Sequence, residues 1–436
     1  MKAHPCRRSS QRRGCVYIFN MYMWTLKHTT VAVYVITALF AFAIPASAQK
    51  EFREIKQLVK DKKANDIISR VEKYAKDSVL SKEPRLYDYG KQAQIMINDA
   101  ENEKIYLKQS YDTARFFSSN LEIVNYILKC EDAEQNALAL NGDKPKFHKE
   151  NSKLVHLYHS NLGAAGRYYY YKHKFKEALP YLEKYLTVPA QTIWGNDKKI
   201  EGSRDYEINA YLFQKAAFLS ENYKATLQFN SITLKKDFPK REVSFEYSAA
   251  AAANLKDTSL YVSLLYQGLE DYPTNHFFFT HLTDYYANEG SYETGLALAN
   301  KMLESDSSNL IYLEAKGLLL LNLNRNEEAI EICKKCLLAD TSHVELNYYI
   351  GIAYNNLASQ ISLPGNINSH AYKSAAAKQK SLYSKALPYL ELYRNKAPDK
   401  SSLWAPQLYK VYLNLNMGKQ FDDIDSILKS LPKQSK

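Results

Sequence analysis

The chain has 436 residues, 46% of them hydrophobic, with 14 Gly, 13 Pro and a formal net charge of +11. Scarce Gly and Pro beside abundant Ala, Leu, Lys and Glu argue against a turn-rich β-sandwich and for helices, over a length that supports a sizeable core. Six of the 58 Lys and Arg residues and none of the 47 acids fall in residues 1–48, so 52 bases face 47 acids beyond them, a surplus too small to imply nucleic acid as a partner.

The first segment reads as an export signal. VAVYVITALFAFAI (31–44) is an apolar run that ends at Pro45 and is followed by Ala46-Ser47-Ala48. A short apolar core before small residues suits signal peptidase, whereas a transmembrane helix needs about 20 apolar residues. The expectation is a signal peptide at 1–48, cleaved after Ala48, and an exported chain of the periplasm or cell envelope with no permanent membrane span. Residues 1–20 are long for the charged leader region, and Met21 and Met23 are alternative starts, with Lys27 as the local positive charge. Cys6 and Cys15 leave with the leader, and no Cys follows the cleavage site to carry a lipid anchor. Cys130, Cys333 and Cys336 remain, too few for a disulfide framework.

Residues 49–140 carry helical periodicity. Ile67, Ile68, Val71, Tyr74 and Ala75 form one stripe, and Leu121, Val124 and Leu128 another. They read either as degenerate repeats or as a separate helical cap. NGDKPKFHKEN (141–151) is the expected boundary after them.

From residue 155 the chain repeats itself. In NLGAAGRYYYYKHKFKEALPYLEKYLTVP (161–189), Leu162, Ala165, Gly166 and Tyr169 share one helical stripe, and Ala178, Leu182 and Tyr185 a second. Ala249, Thr283, Gly317 and Gly351 then recur at a constant spacing of about 34 residues. Phe245, Phe279 and Leu313 keep the same stride, as do Ala252, Tyr286, Leu320 and Tyr354, and Tyr261, Gly295 and Ala329. This pattern resembles the tetratricopeptide repeat, in which a small eighth residue lets two antiparallel helices approach closely. The resemblance implies an all-α solenoid of stacked antiparallel helix pairs over 155–431, with about seven repeats, in an exported bacterial member of that family.

Two stretches depart from the pattern. YLFQKAAFLSENYKATLQFNSITLKKDFP (211–239) has Thr226 where a small Ala is expected, and follows a polar connection, PAQTIWGNDKKIEGSR (189–204). The repeat begun at Gly351 is split by an insertion at 357–384, which contains the turn-rich ISLPGNINSH (361–370) and the start of a helix running from about Ala371 to Arg394. Gly351 and Ala386 stand far wider apart than the eighth and twentieth positions of the pattern, and the excess is the inserted chain. The hexapeptide ALPYLE, at 178–183 and 386–391, is then one helix start used twice, with its proline in the first turns of the second helix. LWAPQLYKVYLNLNMGKQFDDIDSILKSL (403–431) reads as a closing helix pair with a more polar outer face.

Several motifs invite a chemical reading and are better explained by packing. CKKC (333–336) falls where the preceding repeat has Ala299 and Met302, and no second Cys pair completes a zinc site. His156 and His159 of HLYH have metal-compatible spacing but no carboxylate at a helical offset. Asn288, Asn322 and Asn356 recur near the end of a first helix, where Asn closes turns. No phosphate loop, dinucleotide fingerprint, GxSxG or HExxH motif occurs, so no catalytic residue, metal or cofactor is assigned. The family resemblance places Arg167, Tyr170, Tyr171, Asp284, Glu314, Tyr348 and Asn355 on the concave groove. It implies a non-catalytic scaffold that binds a peptide or helix of a protein partner in the cell envelope. The alternative is a glycan-binding accessory protein, similar in its helices to starch-binding outer-membrane proteins; an unrecognised enzyme is the third reading.

Overall fold

A computed structural model describes residues 46–197 and 199–431. The expected signal segment lies outside the described residues, except where the first helix begins at Ala46. Every regular element among them is helical, with no strand. No described helix is long and apolar enough to cross a membrane. The chain forms two compact units, residues 1–216 and 217–436.

The first unit holds α1 (Ala46–Lys60), α2 (Ala64–Tyr74), α3 (Pro84–Tyr106), α4 (Thr113–Asn141), α5 (His148–Tyr171) and α6 (Phe175–Thr187); α7 (Arg204–Leu219) carries the chain to its end. Each of α1 to α5 packs on the next. Ile67, Val71 and Tyr74 are buried as their spacing requires, and join Phe52, Ile55 and Leu86 in one cluster. Ala75 instead ends α2 and is exposed. On α4 the buried stripe is Ile123, Val124, Ile127 and Cys130, while Leu121 and Leu128 are half-buried beside it. The 141–151 stretch does not end the unit. It turns from α4 into α5, where the Glu134 carboxylate accepts the amides of Lys146 and Phe147.

The 189–204 connection is less polar in effect than in composition. Ile193 and Trp194 are buried, and the Trp194 indole donates to the Asp197 carbonyl at 2.7 Å. His156 packs against Trp194, the rings tilted by 41° with centroids 3.8 Å apart, and donates to its carbonyl at 3.1 Å. The loop is thereby fastened to α5.

After the last turn of α7, the second unit has two single-turn helices, α8 (Tyr223–Thr226) and α9 (Asn230–Thr233), where a full second helix would stand in the regular pattern. Amides of Leu227, Gln228 and Asn230 bond carbonyls three residues back instead of four, and the Thr226 hydroxyl donates to the Asn222 carbonyl. Such back-bonding competes with a regular helix. Regular pairs follow: α10 (Arg241–Asn254) with α11 (Thr258–Asp271), α12 (His276–Asn288) with α13 (Tyr292–Ser305), and α14 (Leu310–Asn322) with α15 (Asn326–Ala339). They continue with α16 (Val344–Ser359) and α17 (His370–Lys396), then α18 (Ser401–Leu415) and α19 (Gly418–Ser430). This is an all-α solenoid of stacked antiparallel pairs. Successive first helices, α12 with α14, α14 with α16 and α16 with α18, also touch one another.

The stride is visible in the backbone. Lys256, Gly290 and Asn324, each one repeat length after the last, take positive φ at the turn inside successive pairs (59°, 69° and 58°). Asn288 and Asn322 end their first helices just before this turn, whereas Asn356 lies within α16. The small eighth residue does what the sequence pattern demands. A Cβ on Gly166 would lie 2.4 Å from Leu182, and one on Gly317 2.7 Å from Cys333 Sγ. One on Gly351 would meet Leu390 at 2.5 Å. The first two contacts join residues equally far apart along the chain, whereas the third reaches across the inserted segment as well. The insertion is therefore absorbed between the two helices of one pair. Leu182 and Leu390 are the second leucines of the two ALPYLE copies, which occupy equivalent places. The insertion lengthens α17 at its start, so Pro388 sits deep in that helix and not in its first turns as expected.

Candidate functional site

Stripes left uncovered on two first helices of the second unit line a cleft. On α12, Thr280, Thr283, Asp284 and Ala287 follow one helix face; on α14, Ile311, Glu314, Ala315 and Leu318 do the same. Between these faces lies a cleft of about 270 Å³, with Tyr349 of α16 also in its wall. Ala287 and Ala315 contribute only methyl groups, which leaves the space open. The Thr283 hydroxyl is turned back to the carbonyls of Phe279 (3.1 Å) and Thr280 (2.9 Å), so it offers the cleft no donor.

Asp284 and Glu314 are the only charged residues among the described ones lining the cleft. Asp284 is exposed and makes no ion pair with any described residue. Glu314 is half-buried, and burial raises its carboxyl above the ordinary range, opposed by the nearby His343. His343 Nδ1 lies 3.4 Å from Glu314 Oε2 and its Nε2 3.4 Å from Asp340 Oδ2. The arrangement is a short apolar slot with negative charge at two points of its wall.

Of the seven expected groove residues, the cleft brings together Asp284 and Glu314. Tyr348 is turned away, stacked on Tyr393 at 4.8 Å with its hydroxyl 3.4 Å from the Leu403 carbonyl, and its neighbour Tyr349 takes the place in the wall. Asn355 is a correction. It is 1% exposed and donates to the Gln407 carbonyl and Oε1, each at 3.2 Å, so it fastens α16 to α18 and is closed to a ligand. Arg167, Tyr170 and Tyr171 belong to the first unit. Arg167 donates to Asn209 Oδ1 at 3.1 Å, Tyr170 packs edge-on against Phe175, and Tyr171 is exposed. Phe279, Ile311 and His343 were not anticipated at a site, because nothing in their local spacing separates them from packing and turn residues.

The sulfur and imidazole motifs sit in packing roles. Cys333 and Cys336 are free and buried, and burial pushes the Cys333 thiol up to about 12. His159 is 2% exposed and donates from Nε2 to the Tyr185 carbonyl at 2.8 Å. Burial holds its pKa down to about 4. A histidine whose folded pKa is depressed binds its proton more readily when unfolded, so its stabilising effect is present above the unfolded value of about 6.5 and lost as pH falls towards 4. The loss should approach about 3 kcal/mol. Urea unfolding of the parent and of His159→Gln, each at neutral and acid pH, checks this. Equal acid sensitivity of the two proteins contradicts it.

No protein-family model matches the sequence, and no curated protein matches it. Among solved structures, the chain is similar to the C-terminal part of a TPR repeat-containing protein from Cytophaga hutchinsonii, at 11% identity over 60% of this chain and 98% of that one, with a TM-score of 0.36. A TPR repeats protein from Bacteroides fragilis aligns at 17% identity over 58% of this chain and 98% of its own, with a TM-score of 0.28. MamA AMB-1 aligns at 17% identity over 43% and 90%, with a TM-score of 0.30.

Proposed function

We propose that this chain is a non-catalytic scaffold of the cell envelope that holds an extended segment of a protein partner along the first helices of its second unit. The observation that carries the reading is the cleft of about 270 Å³ between α12 and α14. Stacking buries one stripe of each helix and leaves this other one free, and a run of such stripes suits a linear ligand more than a compact one. The apolar run at 31–44 followed by Ala46-Ser47-Ala48 supports export and directs the search for the partner to the envelope.

The test is a photo-reactive residue placed at Ala287 in the full chain, irradiated in cells. Crosslinks to defined proteins are expected, and filling the slot with Ala315→Trp should abolish them while leaving helicity unchanged. Crosslinks that persist in the filled variant, or that carry saccharide and no protein, overturn the reading.

A further inference from the structure

We propose that the slot between α12 and α14 accepts the side chain of a lysine or arginine from the bound segment, with its charge held by Asp284 and Glu314. This rests on the peptide-binding reading above and narrows it to one kind of anchor.

Size comes first. The slot of about 270 Å³ lies at the lower edge of the range of pockets for whole small molecules, about 300 to 1,000 Å³, and has room for one long side chain. Its walls come next. Ile311, Ala315 and Leu318, each half-buried, present apolar surface, which the methylene stem of Lys or Arg covers while its charged head remains near water. Charge then selects among long side chains. Glu314 is half-buried, and its nearest basic group among the described residues is an imidazole 3.4 Å away; Asp284 makes no ion pair with any of them. A partly buried carboxylate without a strong counterpart is a standing cost, and an entering cation removes it. A leucine or methionine in the same slot would cover Asp284 unpaired and leave Glu314 with the imidazole alone, and a glutamate would add a like charge. Discrimination thus comes from rejecting the wrong residues as well as from attracting the right one.

The experiment is selection of a displayed random-peptide library on the full chain, with Ala315→Trp protein as the counter-selection. Peptides that depend on the slot should carry Lys or Arg at one fixed position. Replacing that residue by Met should weaken binding about tenfold or more, as should the double change Asp284→Asn with Glu314→Gln. Circular dichroism of the double variant should match the parent, since neither carboxylate supports the core. If slot-dependent peptides emerge with no basic position and bind the double variant unchanged, the cationic anchor is wrong while the groove stands. If no peptide depends on the slot, the peptide-binding reading falls and the anchor with it.

Discussion

Lys91→Met is expected to destabilise the first unit by about 3–5 kcal/mol. Lys91 lies in the middle of α3 and is 1% exposed. Its ammonium donates to Asp88 Oδ1 at 2.7 Å and to Asn151 Oδ1 of α5 at 2.7 Å, with Glu150 Oε1 3.6 Å away. A buried cation so placed adds little net stability, because desolvation offsets most of the attraction, but removing one partner strands the other. Methionine keeps the volume and leaves the Asp88 carboxylate, itself 10% exposed, without its cation. The double change Asp88→Asn with Lys91→Met removes both charges and should recover at least half of the loss. The new amide can still accept from Gln92 Nε2, which donates to Asp88 at 2.7 Å in the parent. Urea unfolding of parent, single and double variants supplies the comparison. A double variant as weak as the single one would show that the ion pair is not what the lysine contributes.

Phe278→Ala should cost the second unit about 3–5 kcal/mol, the usual result of emptying a large aromatic site. Phe278 is fully buried where α11 meets α12, edge-on to Phe245 with ring centroids 6.4 Å apart. Gly268 of α11 lies so close that a Cβ there would be 2.3 Å from the ring, so the phenyl group occupies the space that the glycine leaves. With the ring gone, the two helices must either collapse towards each other or enclose a void. Because stacked pairs depend chiefly on their neighbours, the damage should be local. Hydrogen exchange in α10 to α12 is expected to quicken well before that in α18 and α19. Leu338→Ala, at an 89% exposed site, is the control and should shift stability by no more than about 0.5 kcal/mol. Uniform loss of protection through α10–α19 would mean that this unit unfolds as a single block and not as a row of coupled pairs.

Much of the second unit is legible in the sequence. The eighth-position residues, the turn inside each pair and the insertion all depend on a stride carried along the chain itself. Gly351 meeting Leu390, as Gly317 meets Cys333, makes that stride physical. The reading of CKKC as core also followed from its phase. The candidate site was legible only in part. Asp284 and Glu314 reach one cleft, but Tyr348 and Asn355 do not join them, although the same positional rule chose all four. The rule assigns a face from the average geometry of a repeat. Here the repeat that holds Tyr348 and Asn355 has the lengthened α17 as its second helix and is followed by α18. Tyr393 of α17 and Gln407 of α18 take up those two side chains.

The sequence alone determined which segments are helices, which stripe of each is apolar, and that pairs of them recur at a fixed stride, because those properties are set by near neighbours and by the order of small and large residues along the chain. Only the tertiary structure decided that Lys91 of α3 finds Asn151 of α5, that Trp194 closes its loop over His156, and that an open slot lies between α12 and α14. Such contacts depend on how far one helix is shifted and rotated against another. That displacement is settled jointly by loop lengths and by the volumes of facing side chains, and no short window of residues contains it.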